Sequence, residues 1–226
     1  MHIIIIGAGN VGTPLVDIAS RSRNEVVVVE HDKERANEVA DNYDCLVLNA
    51  DATREATLKE AGANRADALV STTEQDATNL FVCLLATELG IPTVVSVLHQ
   101  IEHRDLFHKM GVSAVKSPHH LAAESLFRTA RQPAIVDYMP VEGDAEVFEI
   151  DVTDDAPIAG KTLEEAGAEG LVPDDVLVAA VVKDGNEPRI PGPTTEIGAG
   201  DRLTVYSGRG ADPDVTDIFG ALEDHR

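Results

Sequence analysis

The chain has 226 residues, enough to bury the core of one large domain or of two modest ones. Its 40 acidic and 18 basic residues give a formal net charge of -22, which disfavours binding to nucleic acid and to anionic lipid. The two cysteines, Cys45 and Cys83, are too few for a disulfide framework and too far apart for a CxxC site, so we expect buried, reduced thiols.

No segment has the character of a membrane span or a secretory leader. The longest apolar runs, at residues 3–6, 26–29 and 80–86, fall far short of the roughly 20 residues that a spanning helix needs. No basic and apolar leader precedes the first predicted strand. We therefore expect a cytoplasmic protein that does not insert into the membrane itself.

The acidic residues are scattered along the chain rather than gathered into one tail. A solvated acidic surface would explain them. We favour adaptation to a salt-rich cytoplasm, because a Debye length of about 3 Å at 1 M salt screens the self-repulsion of such a chain.

Strands and helices alternate over the first half of the chain, beginning with the β-branched runs Ile3–Ile6 and Val26–Val29. We predict further strands at residues 45–48, 68–71, 93–98 and 114–116. Helices are predicted at residues 11–22, 33–41, 54–61, 76–89 and 102–110. Six β/α units of this kind indicate an α/β fold with a Rossmann-like, doubly wound parallel sheet.

The pattern changes after residue 116. Ser117 and Pro118 are typical of a helix start, and this helix is predicted to run to about Arg131 before Pro133 stops it. Shorter strands follow at residues 147–152, 176–182 and 202–206, with turn residues at 184–186 and 191–193. We therefore predict a nucleotide-binding domain over residues 1–133, a smaller α+β domain over 134–209, and an acidic tail over 210–226 with at most one short helix.

The segment Gly7-Ala8-Gly9-Asn10-Val11-Gly12 fits the GxGxxG pattern and lies directly between a predicted strand and a predicted helix. Gly7 permits the tight turn, Gly9 lets the backbone approach a pyrophosphate, and Gly12 lets helix and strand pack closely. The helix start offers free N–H groups to phosphates. The segment therefore predicts nucleotide binding.

An acid stands at the end of the second predicted strand, as expected for a ribose contact. The carboxylate of Glu30 can accept both hydroxyls of an adenosine ribose, and a 2'-phosphate would be repelled by it. Asp32 adds negative charge, and no arginine stands at position 31 or 32. NADP is thus disfavoured as a ligand. NAD, ATP and ADP carry the same ribose hydroxyls, so all three remain candidates.

Polar residues also follow the third and fourth predicted strands. Asp51 and Thr53 would lie at the ligand crevice, where carboxyl ends of parallel strands meet, although Thr53 also suits capping of the next helix. The Ser71-Thr72-Thr73-Glu74 run and Asn79 would face the phosphates or the second nucleoside.

The runs GAGNVG, VVVVEHD, NADATREATLKEAG and ADALVSTTEQDATNL, with the later HRDLFHKMGVSAVKSPHHLA, resemble the nucleotide-binding domain of the regulators of potassium conductance. This family, also called RCK or KTN, includes the TrkA-type peripheral subunits of Trk and Ktr potassium-uptake systems. The runs VFEIDVTDDAPIAGKTLEEAG and VLVAAVVKDGNEPRIPGPTTEIGAGDRLTVYSG resemble its C-terminal domain. The two resemblances together cover residues 1–209.

The resemblance implies a regulatory subunit and not an enzyme. It implies assembly into dimers and larger rings beneath a membrane potassium transporter, whose ion pathway responds to NAD, NADH, ATP or ADP bound in the crevice. NAD(H) is the first candidate. By matched position, the nucleotide contacts would be Gly7, Gly9, Asn10, Val11, Glu30, Asp51, Ala52, Thr72, Thr73 and Asn79. The family often carries a basic residue in the fifth strand near the phosphates, and Val97 or Leu98, followed by His99, occupies that place here.

An NAD-dependent oxidoreductase and a regulator coupled to a different membrane transporter remain the alternatives. The histidines near residues 99–120 could supply a general base or a metal ligand, but the adjacent pair His119 and His120 makes a poor chelate. The segment beyond the linking helix offers no histidine before His225. We therefore predict no catalytic residue and no metal site.

Overall fold

A computed structural model describes residues 1–131, 134–183 and 185–220. Some of the predictions above depend on residues outside these ranges, namely Pro133, residue 184 and His225. Contacts between backbone positions divide the chain into two compact units, Met1–Ala122 and Ala123–Arg226. The division falls inside the helix that follows the sixth strand, whereas the sequence placed the domain boundary near residue 134.

The first unit has the predicted alternation of parallel strands and helices. The strand order is β3-β2-β1-β4-β5-β6, the order of a doubly wound dinucleotide-binding fold, so the predicted Rossmann-like sheet is confirmed. Its strands are β1 (His2–Ile6), β2 (Glu25–Glu30), β3 (Leu46–Asn49), β4 (Ala68–Ser71), β5 (Thr93–Val97) and β6 (Ala114–Lys116). Its helices are α1 (Gly12–Arg21), α2 (Lys33–Asn42), α3 (Glu55–Glu60), α4 (Asp76–Glu88), α5 (Arg104–Lys109) and α6 (Pro118–Arg131), the last continuing into the second unit.

The continuous apolar runs form strands because both faces of this sheet are covered. Ile4 and Ile6 belong to the core on one face, and Ile5 belongs to the core on the other. The same division holds for the valines of β2. Alternate side chains of one strand thus enter two cores, as in parallel sheets buried on both sides.

The second unit is a smaller α+β domain built on an antiparallel sheet, as predicted. Its four-stranded sheet has the order β10-β12-β8-β7, and a two-stranded ribbon joins β9 to β11. The strands are β7 (Ile135–Pro140), β8 (Glu146–Asp151), β9 (Lys161–Thr162), β10 (Val176–Val182), β11 (Glu196–Ile197) and β12 (Arg202–Ser207). Helix α7 (Leu163–Ala168) begins with a capping box formed by Thr162 and Glu165.

Several features of this unit were not predicted, including the ribbon of β9 and β11 and helix α7. Strand β7 lies at the edge of the sheet and pairs only with β8. A proline argues against a strand because it has no N–H to donate, but Pro140 lies at the end of this edge strand and is tolerated there. The sequence assigned residues 210–226 to an acidic tail that could hold one short helix. Such a helix, α8 (Pro213–Thr216), is present, but it and the turn after it also place Val215, Ile218 and Phe219 in the core.

Both cysteines are free, with Cys83 buried and Cys45 half-buried. Burial raises the pKa of the Cys83 thiol to about 11, so this side chain stays protonated and behaves as a small apolar group. Among the helices of the described ranges, none combines the length and apolar character that crossing a bilayer would require.

Candidate functional site

The glycine-rich loop between β1 and α1 has the geometry that its sequence predicts. Gly7 adopts a positive φ of +89°, which L side chains rarely adopt. A Cβ on Gly12 would overlap the carbonyl oxygen of Gly7 and would lie 2.7 Å from Thr72 Oγ1. At Gly9 the nearest atom to an added Cβ would be Arg35 Nη1, at 3.9 Å. Gly7 and Gly12 are therefore required by the turn and the packing, while Gly9 leaves open space above the loop.

The start of α1 provides donors next to this space. Hydrogen bonding along the helix begins with the N–H of Thr13, which donates to the carbonyl oxygen of Gly9 at 3.0 Å. The N–H groups just before it have no partner within the helix, and the helix dipole places positive charge at the same point. This combination suits an anion such as a phosphate.

Glu30, at the end of β2, is buried and holds the loop together. Its Oε2 accepts a hydrogen bond from the N–H of Ala8 at 2.6 Å, and its Oε1 accepts one from the N–H of Asp32 at 2.8 Å. His31 Nδ1 lies 2.9 Å from Oε1. Only 2% of Glu30 is exposed. The carboxylate thus organises the backbone on both sides of the crevice, and its predicted contact with the ribose hydroxyls stays a prediction.

The loop after β4 is tied to the glycine loop from the other side. The hydroxyl of Thr72 donates to the carbonyl oxygens of Ile6 and Gly7, at 2.9 and 3.0 Å. The N–H and the hydroxyl of Thr73 both donate to Asn79 Oδ1, which also accepts from the Ser71 hydroxyl. Asn79 Nδ2 in turn donates to the carbonyl oxygen of Thr73 at 2.9 Å.

The third side of the crevice is the turn after β3. Asp51 Oδ1 accepts hydrogen bonds from both the N–H and the hydroxyl of Thr53, at 2.9 and 2.7 Å. These two bonds, the hydroxyl first, lower the pKa of the Asp51 carboxyl. Thr53 therefore stabilises this turn, and its side chain does not cap α3.

Together these loops surround a crevice of about 630 Å³ at the carboxyl ends of the first four strands. Seven of the ten predicted contact residues line it, namely Gly7, Gly9, Glu30, Asp51, Ala52, Thr72 and Thr73. Asn10 and Val11 lie at the start of α1, outside the lining residues. Asn79 also lies outside them, because it is fully buried and its amide is used to hold the β4 loop.

Sequence reasoning missed several lining residues, of which Arg35 is the most informative. Its guanidinium reaches the crevice from the first turn of α2. The prediction that no arginine serves the site depended on positions 31 and 32 alone, directly after the strand. The periodicity of the following helix could have indicated Arg35, because side chains in the first turn of a helix can point back toward the end of the preceding strand.

The fifth strand brings no positive charge to this region, as its sequence implied. Val97 and Leu98 are buried apolar residues. His99 Nε2 lies 3.0 Å from the carbonyl oxygen of Thr73, and His103 Nδ1 lies 3.0 Å from Asp76 Oδ2. Within the described ranges, His, Cys, Asp and Glu side chains form no group of three or more that could hold a metal ion.

The strand order and the crevice over the glycine loop define a Rossmann-like domain of the dinucleotide-binding type, followed by a small α+β domain. The family model of the TrkA-N domain matches residues 3–118, and that of the TrkA-C domain matches residues 147–220. The chain therefore belongs to the TrkA family of RCK-type regulatory proteins, and the resemblance that the motifs indicated is confirmed.

A similar relative is a Trk system potassium uptake protein TrkA homolog of Pyrococcus abyssi, which is 30% identical over 97% of each chain. Among solved structures, the GsuK channel bound to NAD has a TM-score of 0.68 at 19% identity, covering 99% of this chain and 40% of that one. The Kef C-terminal domain of Shewanella denitrificans in its AMP-bound form has a TM-score of 0.51 at 23% identity, covering 57% of this chain and 79% of that one. This chain thus spans less than half of the GsuK channel chain, and these two structures support the fold alone.

Proposed function

We propose that this protein is a nucleotide-sensing regulatory subunit of a potassium-uptake transporter or channel. The first domain binds an adenine nucleotide in the crevice over Gly9, and the second serves as a regulatory domain. The single observation that carries the proposal is the open space above Gly9, which is bounded by the glycine-rich loop and by the loops after β2, β3 and β4 and lies next to the start of α1. It offers the backbone approach and the helix start that a pyrophosphate needs.

NAD(H) is the first candidate ligand, and ATP and ADP are the alternatives. The name of the GsuK structure gives NAD as its ligand, and that of the Kef domain gives AMP, both in folds like this one. All these compounds share the adenosine ribose and phosphate. The crevice therefore suits the part of the molecule that the candidates have in common.

Regulation would act through differential binding and not through chemistry on the nucleotide. A ligand shifts an equilibrium between two assemblies by at most the difference in its affinity for them, typically about 1–3 kcal/mol. We propose a homodimer or a larger ring as the assembly. Apolar side chains that stay exposed on the first unit, including Phe81, Ile101 and Leu106, are suited to contacts between copies.

The partner would be the membrane subunit of a potassium-uptake system, with this chain at the inner face of the cell membrane. The name of the Pyrococcus relative supports potassium uptake. Co-expression with such a membrane subunit in cells deficient in potassium uptake tests this step. We expect nucleotide-dependent rubidium uptake, which should be lost when Gly9→Ala closes the space above the loop.

Rubidium uptake and an NADH turnover assay separate the alternatives. A regulator of a different transporter would bind nucleotide and leave rubidium uptake unchanged with every potassium-transport partner. An oxidoreductase would turn over NADH in the presence of a small carbonyl substrate, and the regulator should not.

A further inference from the structure

Arg35 stands apart from the other charged residues of the crevice. Its side chain is exposed, and Nη1 would lie 3.9 Å from a Cβ on Gly9, so the guanidinium lies over the open part of the loop. Within the described ranges, it forms no hydrogen bond or ion pair with another side chain. Arg35 thus lines the crevice with a charged group that can donate hydrogen bonds, while its charge also acts on Asp32.

The position of Arg35 in its helix does not explain its presence. It belongs to the first turn of α2, where the helix dipole is positive and a cation is disfavoured. Asp32 caps this helix start by accepting the N–H groups of Glu34 and Arg35. The cap itself uses only the backbone N–H of Arg35, and the charge of the guanidinium is a smaller contribution to the lowered pKa of Asp32 than that hydrogen bond.

The electrostatics of the crevice give the guanidinium a clear role. Four lining residues are acidic: Glu30, Asp32, Asp51 and Glu74. Among the described residues that line the crevice, Arg35 is the only lysine or arginine. A diphosphate that approaches Gly9 would thus enter a mainly negative environment, with one planar, always charged group positioned to pair with it.

We propose that Arg35 binds the diphosphate of the nucleotide where it passes over Gly9. The inference rests on the proposed nucleotide site and adds the group that compensates the phosphate charge. The cation comes from the helix after β2, whereas the fifth-strand positions at which the family resemblance implies a basic residue hold buried Val97 and Leu98. Affinity for any ligand with a diphosphate then depends on this side chain in addition to the N–H groups at the start of α1.

The test compares Arg35→Gln with the unaltered protein by titration calorimetry with NAD and with ADP, and by ligand-observed NMR titration with adenosine. Loss of a charge-assisted contact should weaken NAD and ADP binding by about 10- to 100-fold and leave adenosine binding within about twofold. Arg35→Lys, which keeps the charge without the planar fork, should show an intermediate loss. Arg21→Gln is the matched control, since Arg21 is an exposed arginine paired with Asp17 on α1, away from the crevice.

The outcomes separate the two proposals. If the unaltered protein binds neither NAD nor ADP, the proposed function fails. If it binds them and Arg35→Gln binds them equally well, the role of Arg35 is overturned and the nucleotide site stands. An equal loss for adenosine and for ADP would also overturn that role, because it would indicate contact with the base. Melting curves of each variant show whether the fold is preserved.

Discussion

The buried carboxylate of Glu30 accepts a hydrogen bond from the N–H of Ala8 at 2.6 Å, and this contact joins the end of β2 to the glycine-rich loop. Its second oxygen accepts the N–H of Asp32, next to the start of α2. One side chain thus fixes two of the loops that border the crevice. A substitution at Glu30 therefore changes the shape of the site as well as any direct contact with a ligand.

Glu30→Ala should reduce both stability and nucleotide affinity. It leaves the N–H groups of Ala8 and Asp32 without their acceptor, and we expect a loss of about 2–4 kcal/mol in the free energy of unfolding. NAD affinity should fall by at least about tenfold, as expected for a disordered loop. Urea denaturation and calorimetry measure the two effects.

Glu34→Ala, at an exposed position of α2 outside the crevice, is the control for Glu30→Ala. It should change neither quantity by more than about 0.5 kcal/mol. Equal unfolding curves for the two variants would contradict the structural role of Glu30.

The roles of the second and third glycines of the motif, Gly9 and Gly12, can be separated by two substitutions. A Cβ at Gly9 meets only the flexible end of Arg35, so Gly9→Ala should fold normally and lose nucleotide binding. A Cβ at Gly12 overlaps the carbonyl oxygen of Gly7, so Gly12→Ala should lose more than about 3 kcal/mol of stability. Thermal melts and NAD titration distinguish the two.

Gly167→Ala in α7 serves as the matched control for both, because an added Cβ there meets nothing within 4 Å. It should stabilise the chain by about 0.5–1 kcal/mol, since alanine is the better helix former.

Normal NAD affinity in Gly9→Ala would show that the ligand does not approach this part of the loop.

The carboxyl of Asp76 predicts a specific dependence on pH. Burial raises its pKa, but hydrogen bonds from the N–H groups of His99 and Gln100 and from the His103 ring outweigh burial and hold the pKa below its usual value. A pKa lowered by folding means that the ionised group stabilises the fold above about pH 4 and that this contribution disappears as the pH falls through the folded-state value.

Asp76→Asn should accordingly be less stable than the unaltered protein at pH 7, and the difference should narrow below about pH 4. Chemical denaturation at several pH values measures this, with Asp41→Asn, an exposed carboxylate on α2, as the control. A difference that stays constant from pH 7 to pH 3 would rule out the proposed linkage.

The net charge of -22 predicts a dependence on salt. Molar KCl shortens the Debye length to about 3 Å and screens the repulsion among the acidic residues. We expect the melting temperature to rise between dilute and molar KCl. A melting temperature that is the same at both concentrations would contradict adaptation to a salt-rich cytoplasm.

The sequence predicted those parts of the fold that depend on repeated local patterns. The β-branched runs of β1 and β2 identified strands buried on both faces, and Gly7 and Gly12 identified the turn, because each has a local steric reason. Strand β7 was missed, since its pairing with β8 is set by tertiary contacts and Pro140 gives the opposite local signal.

The site was harder to predict than the fold. The sequence placed Asn79 near the phosphates or the second nucleoside. Its burial and its bonds to the β4 loop follow from how α4 packs, which the spacing of residues does not encode. Arg35 was missed for the converse reason, because its approach to Gly9 depends on the direction of α2. The carboxylate of Glu30 was identified, and its bonds to backbone N–H groups became visible only in three dimensions.

The most direct test of the account is titration calorimetry of the unaltered protein, equilibrated in molar KCl, with NAD, NADH, ADP and ATP in turn. We predict that at least one of these nucleotides binds at one site per chain and is recovered chemically unchanged, and that its affinity is lost in Gly9→Ala. Absence of binding by all four, or consumption of the bound nucleotide, would contradict it.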